Sequence, residues 1–156
     1  MSYDAQDWFD SSKAEYTYDS DGNILSWTRY VWDSDAQDWR GFEKYELTYN
    51  SDGNELSYIE YRWSIVTQNW VNNEATDKHE HTYDNNGNKL SYTEYRWTSD
   101  TQDWEIYVKN EWSYNSSNDT IEKYDWEYYS NNQRLGKKWE YQYDNLGRMT
   151  LVGTSR

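Results

Sequence analysis

Charged and small polar residues alternate with tyrosine, tryptophan and leucine along stretches of about ten residues. In the segment 44–49, lysine, glutamate and threonine occupy the even positions, and two tyrosines and a leucine occupy the odd positions. A period of two is typical of β-strands, and no apolar stripe with the period of a helix competes with it. The pattern predicts an all-β protein whose strands have one solvated face and one packed face.

The strand pattern is repeated in tandem along the chain. Equivalent tyrosines stand 31, 34, 31 and 29 residues apart, each with a lysine five residues before it and a glutamate three residues before it. These tyrosines are Tyr18, Tyr49, Tyr83, Tyr114 and Tyr143. Such self-similarity indicates an array of small structural units. We expect one domain, 1–156, with a half-repeat at 1–18, full repeats at about 18–48, 49–82, 83–113 and 114–142, and a terminal half-repeat at 143–156.

Each full repeat is predicted to hold two strands. In the first repeat, one strand at about Ile24–Trp32 follows a glycine turn, and a second at about Trp39–Tyr49 ends at the next glycine turn. The turn segment 19–22, Asp-Ser-Asp-Gly, suits a type I turn closed by a left-handed glycine, which joins antiparallel strands. A Gln-x-Trp loop closes the other end of each hairpin.

We therefore expect ten strands, arranged as tandem antiparallel β-hairpins in a twisted or spiralling sheet. The chain begins with a strand of the second type and ends with one of the first type, which leaves two arrangements of the terminal strands open. They pair with each other and close a barrel or ring, or they pair head to tail with a neighbouring molecule.

The composition restricts both the core and the partners. Hydrophobic residues are 35% of the chain, so 18 tyrosines and 11 tryptophans must supply most of the apolar area. The net charge of -14 repels a phosphate backbone, so nucleic acid is excluded as a partner, and no apolar run is long enough for membrane insertion. The absence of cysteine excludes disulfides and thiolate metal sites. No cofactor is expected.

Part of each repeat resembles a known family. The segment 141–150, Tyr-Gln-Tyr-Asp-Asn-Leu-Gly-Arg-Met-Thr, is similar to the YD repeat of RHS-type and teneurin-like proteins, and 16–25 and 81–90 resemble it with one extra residue before the leucine. The Tyr-x-Trp and Gln-x-Trp half resembles tandem aromatic repeats of large secreted or surface proteins of Bacteroidetes-type bacteria. The resemblance implies a spiralling sheet of hairpins and an extracellular or cell-surface location. The first residues lack the features of a signal peptide, so an intracellular protein and an excised piece are both consistent with the sequence.

Regularly spaced tryptophans are the first candidate for a binding site. Indole rings on a sheet stack on sugar rings, and neighbouring glutamines bond hydroxyl groups, which would give a multivalent glycan binder. The candidate residues are Trp32, Trp39, Trp63, Trp70, Trp97, Trp104, Gln37, Gln68 and Gln102. The alternative is that these tryptophans form the core of a protein with few aliphatic residues.

The segment Asp-Lys-His-Glu-His at 77–81 is a candidate metal site. Asp77, His79 and His81 lie on one face of a predicted strand, and imidazole with carboxylate is a plausible ligand set for a first-row metal. The protein's two histidines stand here, in the repeat that also has three extra residues within about 71–76. The alternative is that each histidine fills an aromatic position of the sheet.

Other carboxylates are explained by structure. Asp19, Asp21 and Asn23 offer oxygens at alternate positions, as a calcium loop does, but turn chemistry accounts for them better. The recurring Lys-x-Glu pairs, with Glu60 and Arg62 and their copies at 94 and 96, indicate cross-strand charge pairing on a solvated face. Catalysis needs two acids in different environments, which identical repeats do not supply.

The sequence thus predicts a non-enzymatic repeat module of a secreted or cell-surface protein. Its expected role is recognition or adhesion through aromatic side chains, with glycans or another protein as partner. The alternative is a structural wall, stalk or fibre, in which open terminal strands pair between molecules to form a homo-oligomer.

Overall fold

The computed structural model describes residues 12–73, 75–129 and 133–155. Its regular structure is one antiparallel sheet of eleven strands. The strands are β1 (Ser12–Tyr18), β2 (Ile24–Asp33), β3 (Asp38–Tyr49), β4 (Glu55–Ser64), β5 (Asn69–Val71), β6 (Asp77–Tyr83), β7 (Lys89–Thr98), β8 (Asp103–Tyr114), β9 (Thr120–Tyr129), β10 (Gln133–Tyr143) and β11 (Met149–Ser155). The predicted all-β fold of tandem hairpins is confirmed. Residues 1–11 of the predicted half-repeat 1–18 lie outside the described residues.

The sheet is open. Its strand order is β1-β2-β3-β4-β6-β7-β8-β9-β10-β11, with β5 beside one end of β4. Among the described strands, β1 pairs only with β2 and β11 only with β10, so the closure into a barrel or ring that the sequence left open is not formed. Within the same residues there is no helix with the length and apolar character needed to cross a membrane.

The glycine turns have the predicted geometry. The amide of Gly22 donates a hydrogen bond to the carbonyl of Asp19 at 3.3 Å, and Gly22 has a φ of 90°. The same bond and a positive φ recur at Gly53, Gly87, Asn118 and Gly147. A left-handed residue in the fourth position gives the turn the twist of the flanking strands, which is why glycine or asparagine stands there.

The first residue of each turn holds the turn together with its side chain. The carboxylate of Asp19 accepts hydrogen bonds from the amides of Asp21 and Asn23 and from the side-chain amide of Asn23, at 2.8 to 2.9 Å. The bond from the Asn23 side chain is the main cause that lowers the pKa of Asp19. Both carboxylate oxygens of Asp19 are therefore engaged in the turn, which agrees with the turn chemistry expected of this residue.

The second full repeat departs from the predicted ten strands. Its three extra residues divide one strand into β5, which pairs with the end of β4, and β6, which pairs with the middle of β4. Between them, the amide of Asn73 donates to Oγ1 of Thr76 at 3.0 Å, and the amide of Thr76 donates to the Asn73 carbonyl at 2.9 Å. The insertion forms a turn inside a strand, so the count rises to eleven.

The sheet is a single layer without an apolar core. Its main contacts run between hydrogen-bonded neighbours, and none of the described apolar side chains is fully buried. The buried polar and charged residues are Thr28, Glu43, Glu60, Thr76 and Thr93. The predicted alternation is present, and the rings on one face pack against one another along the sheet. No second layer of described residues covers either face, so these rings stay half-buried; the chain has few aliphatic residues to build such a layer.

A row of stacked rings takes the place of a core on one face. This aromatic ladder crosses six strands, and the centroids of successive rings are 4.8 to 6.4 Å apart. Its members are Tyr16, Trp27, Tyr45, Tyr58, His79 and Tyr92. Ring pairs at these distances add stabilisation beyond the area that they bury.

On the opposite face, lysines lie over tyrosines of the next strand. The Lys78 ammonium is 4.3 Å from the centroid of the Tyr95 ring, and Lys13 and Lys44 repeat the arrangement in other hairpins. Lys78 also pairs with Glu80 at 2.9 Å, two residues along its own strand. The predicted cross-strand charge pairing occurs in Arg29–Glu43, Arg62–Glu43 and Lys138–Glu122, whereas the Lys-x-Glu pairs form within one strand. The lysines of those pairs make cation–π contacts across strands.

A charge cluster is buried where the sequence predicted a solvated face. Glu60 is only 4% exposed, and Glu43 is 8% exposed. Arg62 contacts both carboxylates, with Nη1 2.6 Å from Oε2 of Glu43 and Nη2 in contact with Oε1 of Glu60. Arg29 is 3.3 Å from Glu43 on the other side. Burial raises the pKa of Glu60, and the neighbouring guanidinium of Arg62 opposes that change.

Candidate functional sites: the tryptophan edge and a histidine cluster

The six predicted tryptophans form three pairs at the end of the sheet opposite the glycine turns. We call this end the tryptophan edge: Trp32, Trp39, Trp63, Trp70, Trp97 and Trp104. The two members of each pair are direct register partners on neighbouring strands. Their rings meet edge to face, with centroids 5.2 to 5.4 Å apart and interplanar angles of 78° to 83°. This geometry suits the ring quadrupoles and recurs because each pair flanks the same loop.

The predicted glutamines shape the loops that join the paired tryptophans. Gln37, Gln68 and Gln102 have φ values of 55°, 50° and 54°, a left-handed conformation that non-glycine residues seldom adopt. The side-chain amide of Gln37 donates to the carbonyl of Ser34 at 2.8 Å, and Gln102 makes the equivalent bond at 2.7 Å. All three glutamines are exposed. They fix the loop conformation at the border of the tryptophan pairs.

A groove of about 660 Å³ lies between the first two tryptophan pairs. Trp39 and Trp63, which belong to neighbouring hairpins, form part of its lining, together with Gln68, Asp33 and Arg40. Arg40 and Asp33 form an ion pair across the loop at 3.4 Å. The structure thus brings Trp39, Trp63 and Gln68 together and adds one cation, Arg40, and two carboxylates, Asp33 and Asp38.

A second groove, of about 540 Å³, lies beside the third tryptophan pair. It is lined by Trp97 and Gln102 on one side and by Val71, Asn72 and Asn73 on the other. The insertion between β5 and β6 forms that second side. The extra residues of this repeat therefore change the groove at the tryptophan edge. The second groove has the side-chain amides of Asn72 and Asn73, whereas the first has the ion pair of Asp33 and Arg40.

The tryptophans of the edge are accessible. Trp32 is 41% exposed, and the other five are half-buried. No tryptophan among the described residues is fully buried, so burial does not prevent these rings from contacting a ligand. Part of the surface of each ring contacts the other ring of its pair, and part is exposed to solvent.

A glycine makes room for one of the pairs. A Cβ atom at Gly41 would lie 2.7 Å from Cε3 of Trp63 and 2.9 Å from Cη2 of Trp70. The Trp63–Trp70 pair therefore packs directly on the β3 backbone, and only glycine leaves the space for it.

We expect Gly41→Ala to lower the free energy of unfolding by about 2 kcal/mol, since overpacking forces the indoles to move. Urea unfolding followed by tryptophan fluorescence measures the change. Gly153→Ala is the matched control, because no atom lies within 4 Å of its added Cβ. Equal stability of the two variants would show that the Trp63–Trp70 pair does not rest on Gly41.

The two histidines meet a carboxylate on the aromatic ladder face, close to the glycine turns. Nε2 of His79 is 2.7 Å from Oε1 of Glu55, and Nε2 of His81 is 3.5 Å from the same atom. The ligand atoms of the three residues lie within 4.8 Å of one another. Asp77, the carboxylate predicted for this site, is not in the cluster. It is exposed at the start of β6, opposite Arg96, and Glu55 of β4 takes its place.

Burial governs the electrostatics of this cluster. It lowers the pKa of His81, and the charges of Lys89 and His79 act in the same direction. Burial also raises the pKa of Tyr92 to about 12, with the carboxylate of Glu94 adding to the effect. The histidine rings and their tyrosine neighbours are therefore held in a poorly hydrated part of an otherwise wet surface.

Sequence reasoning missed Glu55, Asp33 and Arg40. Glu55 carried a usable signal, because the equivalent residues after the other turns are Ile24, Lys89, Thr120 and Met149. It is the one carboxylate in that set. Asp33 and Arg40 carried no such signal, since their position beside the first groove depends on how neighbouring hairpins align.

The fold and these surfaces define a single-layer protein of tandem β-hairpins with an aromatic edge. No protein-family model and no curated protein matches the chain. A protein of unknown function from Bacteroides fragilis has a similar structure, with a TM-score of 0.50 at 14% identity over 92% of this chain and 91% of that one. DUF3836 family proteins from Bacteroides vulgatus and Parabacteroides distasonis give TM-scores of 0.47 and 0.40, with identities of 17% and 18%, over 62% and 60% of this chain and 91% and 84% of theirs. The first likeness shows the fold alone.

Proposed function

We propose that the protein is a non-enzymatic recognition module of the cell surface or the secreted fraction, which binds neutral glycans along its tryptophan edge. The observation that supports this most directly is the groove between Trp39 and Trp63. Its indoles offer flat apolar surface, and Gln68, Asp33 and Arg40 offer hydrogen-bonding groups beside them. Apolar walls with a few convergent polar groups are what small ligands require.

The spacing of the edge favours a chain-like ligand. The Trp32–Trp39 and Trp63–Trp70 pairs lie two strands apart, which is about 10 Å at ordinary strand spacing. An oligosaccharide can contact successive pairs, so several weak contacts add up by multivalency. The net charge of -14 disfavours anionic polysaccharides and points to neutral ones.

The carboxylates beside the first groove support a binding role without catalysis. Oδ1 of Asp33 accepts hydrogen bonds from the amides of Asp35 and Ala36, and Oδ1 of Asp38 accepts one from the amide of Trp39. Both groups are engaged in loop structure. A glycoside hydrolase would need two carboxylates free to act as acid and as nucleophile or base.

A panel of neutral hexasaccharides of glucose, xylose and mannose tests the proposal by tryptophan fluorescence and calorimetry. We expect at least one to bind, and Trp39→Leu to weaken that binding at least tenfold. Leucine is a conservative choice because Leu135 stands at the equivalent position of the last repeat. Trp27→Phe, on the aromatic ladder, is the control and should bind as the unchanged protein does.

The structural role is the second candidate, and the open strand order favours it. β1 and β11 lie at opposite ends of the sheet, so a second copy of the chain could extend the sheet by strand pairing at either end. Sedimentation of the same samples separates the two proposals. Fibres that grow with concentration, together with no response to the glycan panel, would overturn the recognition role and favour self-assembly.

A further inference from the structure

We propose that Glu55, His79 and His81 bind a divalent first-row transition metal ion, with Zn²⁺ as the probe of choice. The site lies on the aromatic ladder face, away from the tryptophan edge, and does not depend on glycan binding. Two imidazoles and one carboxylate are ligands that such ions accept, and water would complete the coordination.

The positions of the three donor atoms suit an ion after small side-chain rotations. Oε1 of Glu55 lies 2.7 Å from Nε2 of His79 and 3.5 Å from Nε2 of His81. Ligand atoms around zinc stand about 2.0 to 2.2 Å from the metal, which places neighbouring ligands roughly 3.3 Å apart. One donor atom of each residue lies within 4.8 Å of the other two, so small rotations bring all three within reach of one ion.

All three residues break the repeat, and they do so at one place. Position 79 is equivalent to Tyr45 and position 81 to Leu47 in the preceding hairpin, and Glu55 is equivalent to Ile24. The three residues lie on two strands, β4 and β6, and Glu55 stands 24 residues before His79 in the sequence. None of the three residue types recurs at the equivalent positions of the other repeats, and together they form a set of metal-ligand types at one place.

Ring stacking holds the histidines in place. His79 lies flat on Tyr58, with centroids 4.8 Å apart and an interplanar angle of 7°. His81 contacts both His79 and Tyr92, with centroid distances of 5.2 and 5.1 Å. These neighbours restrict rotation of the rings, so both Nε2 atoms are directed to Glu55 before any ion binds. Preorganised ligands lose little freedom on binding.

His81 is otherwise an unexplained buried group. Its side chain is 10% exposed, its Nδ1 is buried without a hydrogen-bond partner, and its Nε2 is too far from Glu55 for a good hydrogen bond. Buried polar atoms are nearly always partnered, and exceptions call for an explanation. A metal ion would give Nε2 the close partner that Glu55, at 3.5 Å, does not provide, while Nδ1 keeps no partner among the described residues.

The ion would join β4 to β6, where the strand pairing is short. The register between these strands covers three residue pairs, Ser57 to Ile59 with Lys78 to Glu80, because the insertion ends the strand early. Glu55 lies on one side of this seam and both histidines on the other. Binding that occurs only in the folded state stabilises the seam by mass action.

Calorimetric titration of the intact chain with ZnCl₂, in buffer free of chelators, tests the inference. We expect one ion per chain and a rise of several degrees in the melting temperature at saturating Zn²⁺. Co²⁺ in place of Zn²⁺ should give the strong visible absorption bands of a four- or five-coordinate site, which distinguishes inner-sphere binding from diffuse binding to surface carboxylates.

Three variants restore the residues of the preceding hairpin and are therefore expected to fold: Glu55→Ile, His79→Tyr and His81→Leu. Each should weaken Zn²⁺ binding at least tenfold and abolish the rise in melting temperature. Asp77→Asn removes a nearby carboxylate outside the cluster and should leave binding unchanged. Absence of one-to-one binding, or equal binding by all four variants as expected for diffuse surface carboxylates, would overturn the proposal.

Discussion

Arg62→Leu is expected to lower the free energy of unfolding by about 3 kcal/mol, because the change removes the ion pair of the buried Glu60 carboxylate and leaves Glu43 paired with Arg29 alone. The guanidinium of Arg62 contacts the carboxylates of Glu43 and Glu60, whose side chains are only 10% and 6% exposed. Urea unfolding monitored by circular dichroism measures the loss. Arg62 itself is half-buried, but the two carboxylates that it contacts are among the few buried side chains of the described residues.

The loss should be pH dependent. Burial already raises the pKa of Glu60 above 4.5, and removal of Arg62 would raise it further. A carboxyl group whose pKa is higher in the folded state binds protons preferentially there, so the variant regains stability as the pH falls through that raised value.

Arg96→Leu, at the equivalent position of the next repeat, is the control. Arg96 is exposed and stacks on the Tyr107 ring, so its replacement should cost about 0.5 kcal/mol. If the two variants lost similar free energies of unfolding, the stabilising effect assigned to the buried charge cluster would be contradicted.

Tyr58→Ala is the other substitution expected to have a large effect, again about 3 kcal/mol. The Tyr58 ring stands between Tyr45 and His79, with centroids 5.4 and 4.8 Å away, and it is the β4 member of the aromatic ladder. Alanine would interrupt the ladder at the seam where β4 and β6 share only three residue pairs. Hydrogen exchange should therefore show faster opening of β6 as well as lower global stability.

Two comparisons separate stacking from other causes. Tyr58→Phe keeps the ring and should cost well under half as much as alanine. Tyr16→Ala removes the terminal ring of the ladder, which is 49% exposed, and should cost less than about 1 kcal/mol. If phenylalanine were as damaging as alanine at position 58, the hydroxyl group and not the stack would be the stabilising element.

The local structure could be predicted from the sequence because it depends on local chemistry. Asp19 and Gly22 specify the turn, and β2 and β3 begin and end within about one residue of the predicted bounds. Because the sequence repeats, the same turn and strand predictions apply at the four equivalent positions along the chain. The split of one strand into β5 and β6 was missed, because three extra residues do not reveal which part of a strand they interrupt.

Longer-range features could not be predicted. Alternation in β3 indicated a wet face and a packed face, but whether a second layer exists depends on the whole chain, and none covers the described sheet. Burial of Glu60 depends on Glu43 and Arg62 meeting across β3 and β4. The histidine cluster shows the same limit: His79 and His81 were identified, whereas Glu55 required the β4–β6 register.

The central claim is that ligands bind at the tryptophan edge and not on the aromatic ladder. It is tested most directly by the indole N–H signals of ¹⁵N-tryptophan-labelled protein, titrated with the neutral hexasaccharide that responds best in the panel. We predict that the signals of Trp39 and Trp63 shift with concentration, while that of Trp27, whose indole nitrogen is buried, stays in place. Unmoved signals for Trp39 and Trp63 with every hexasaccharide of the panel, or shifts confined to the ladder, would contradict the account.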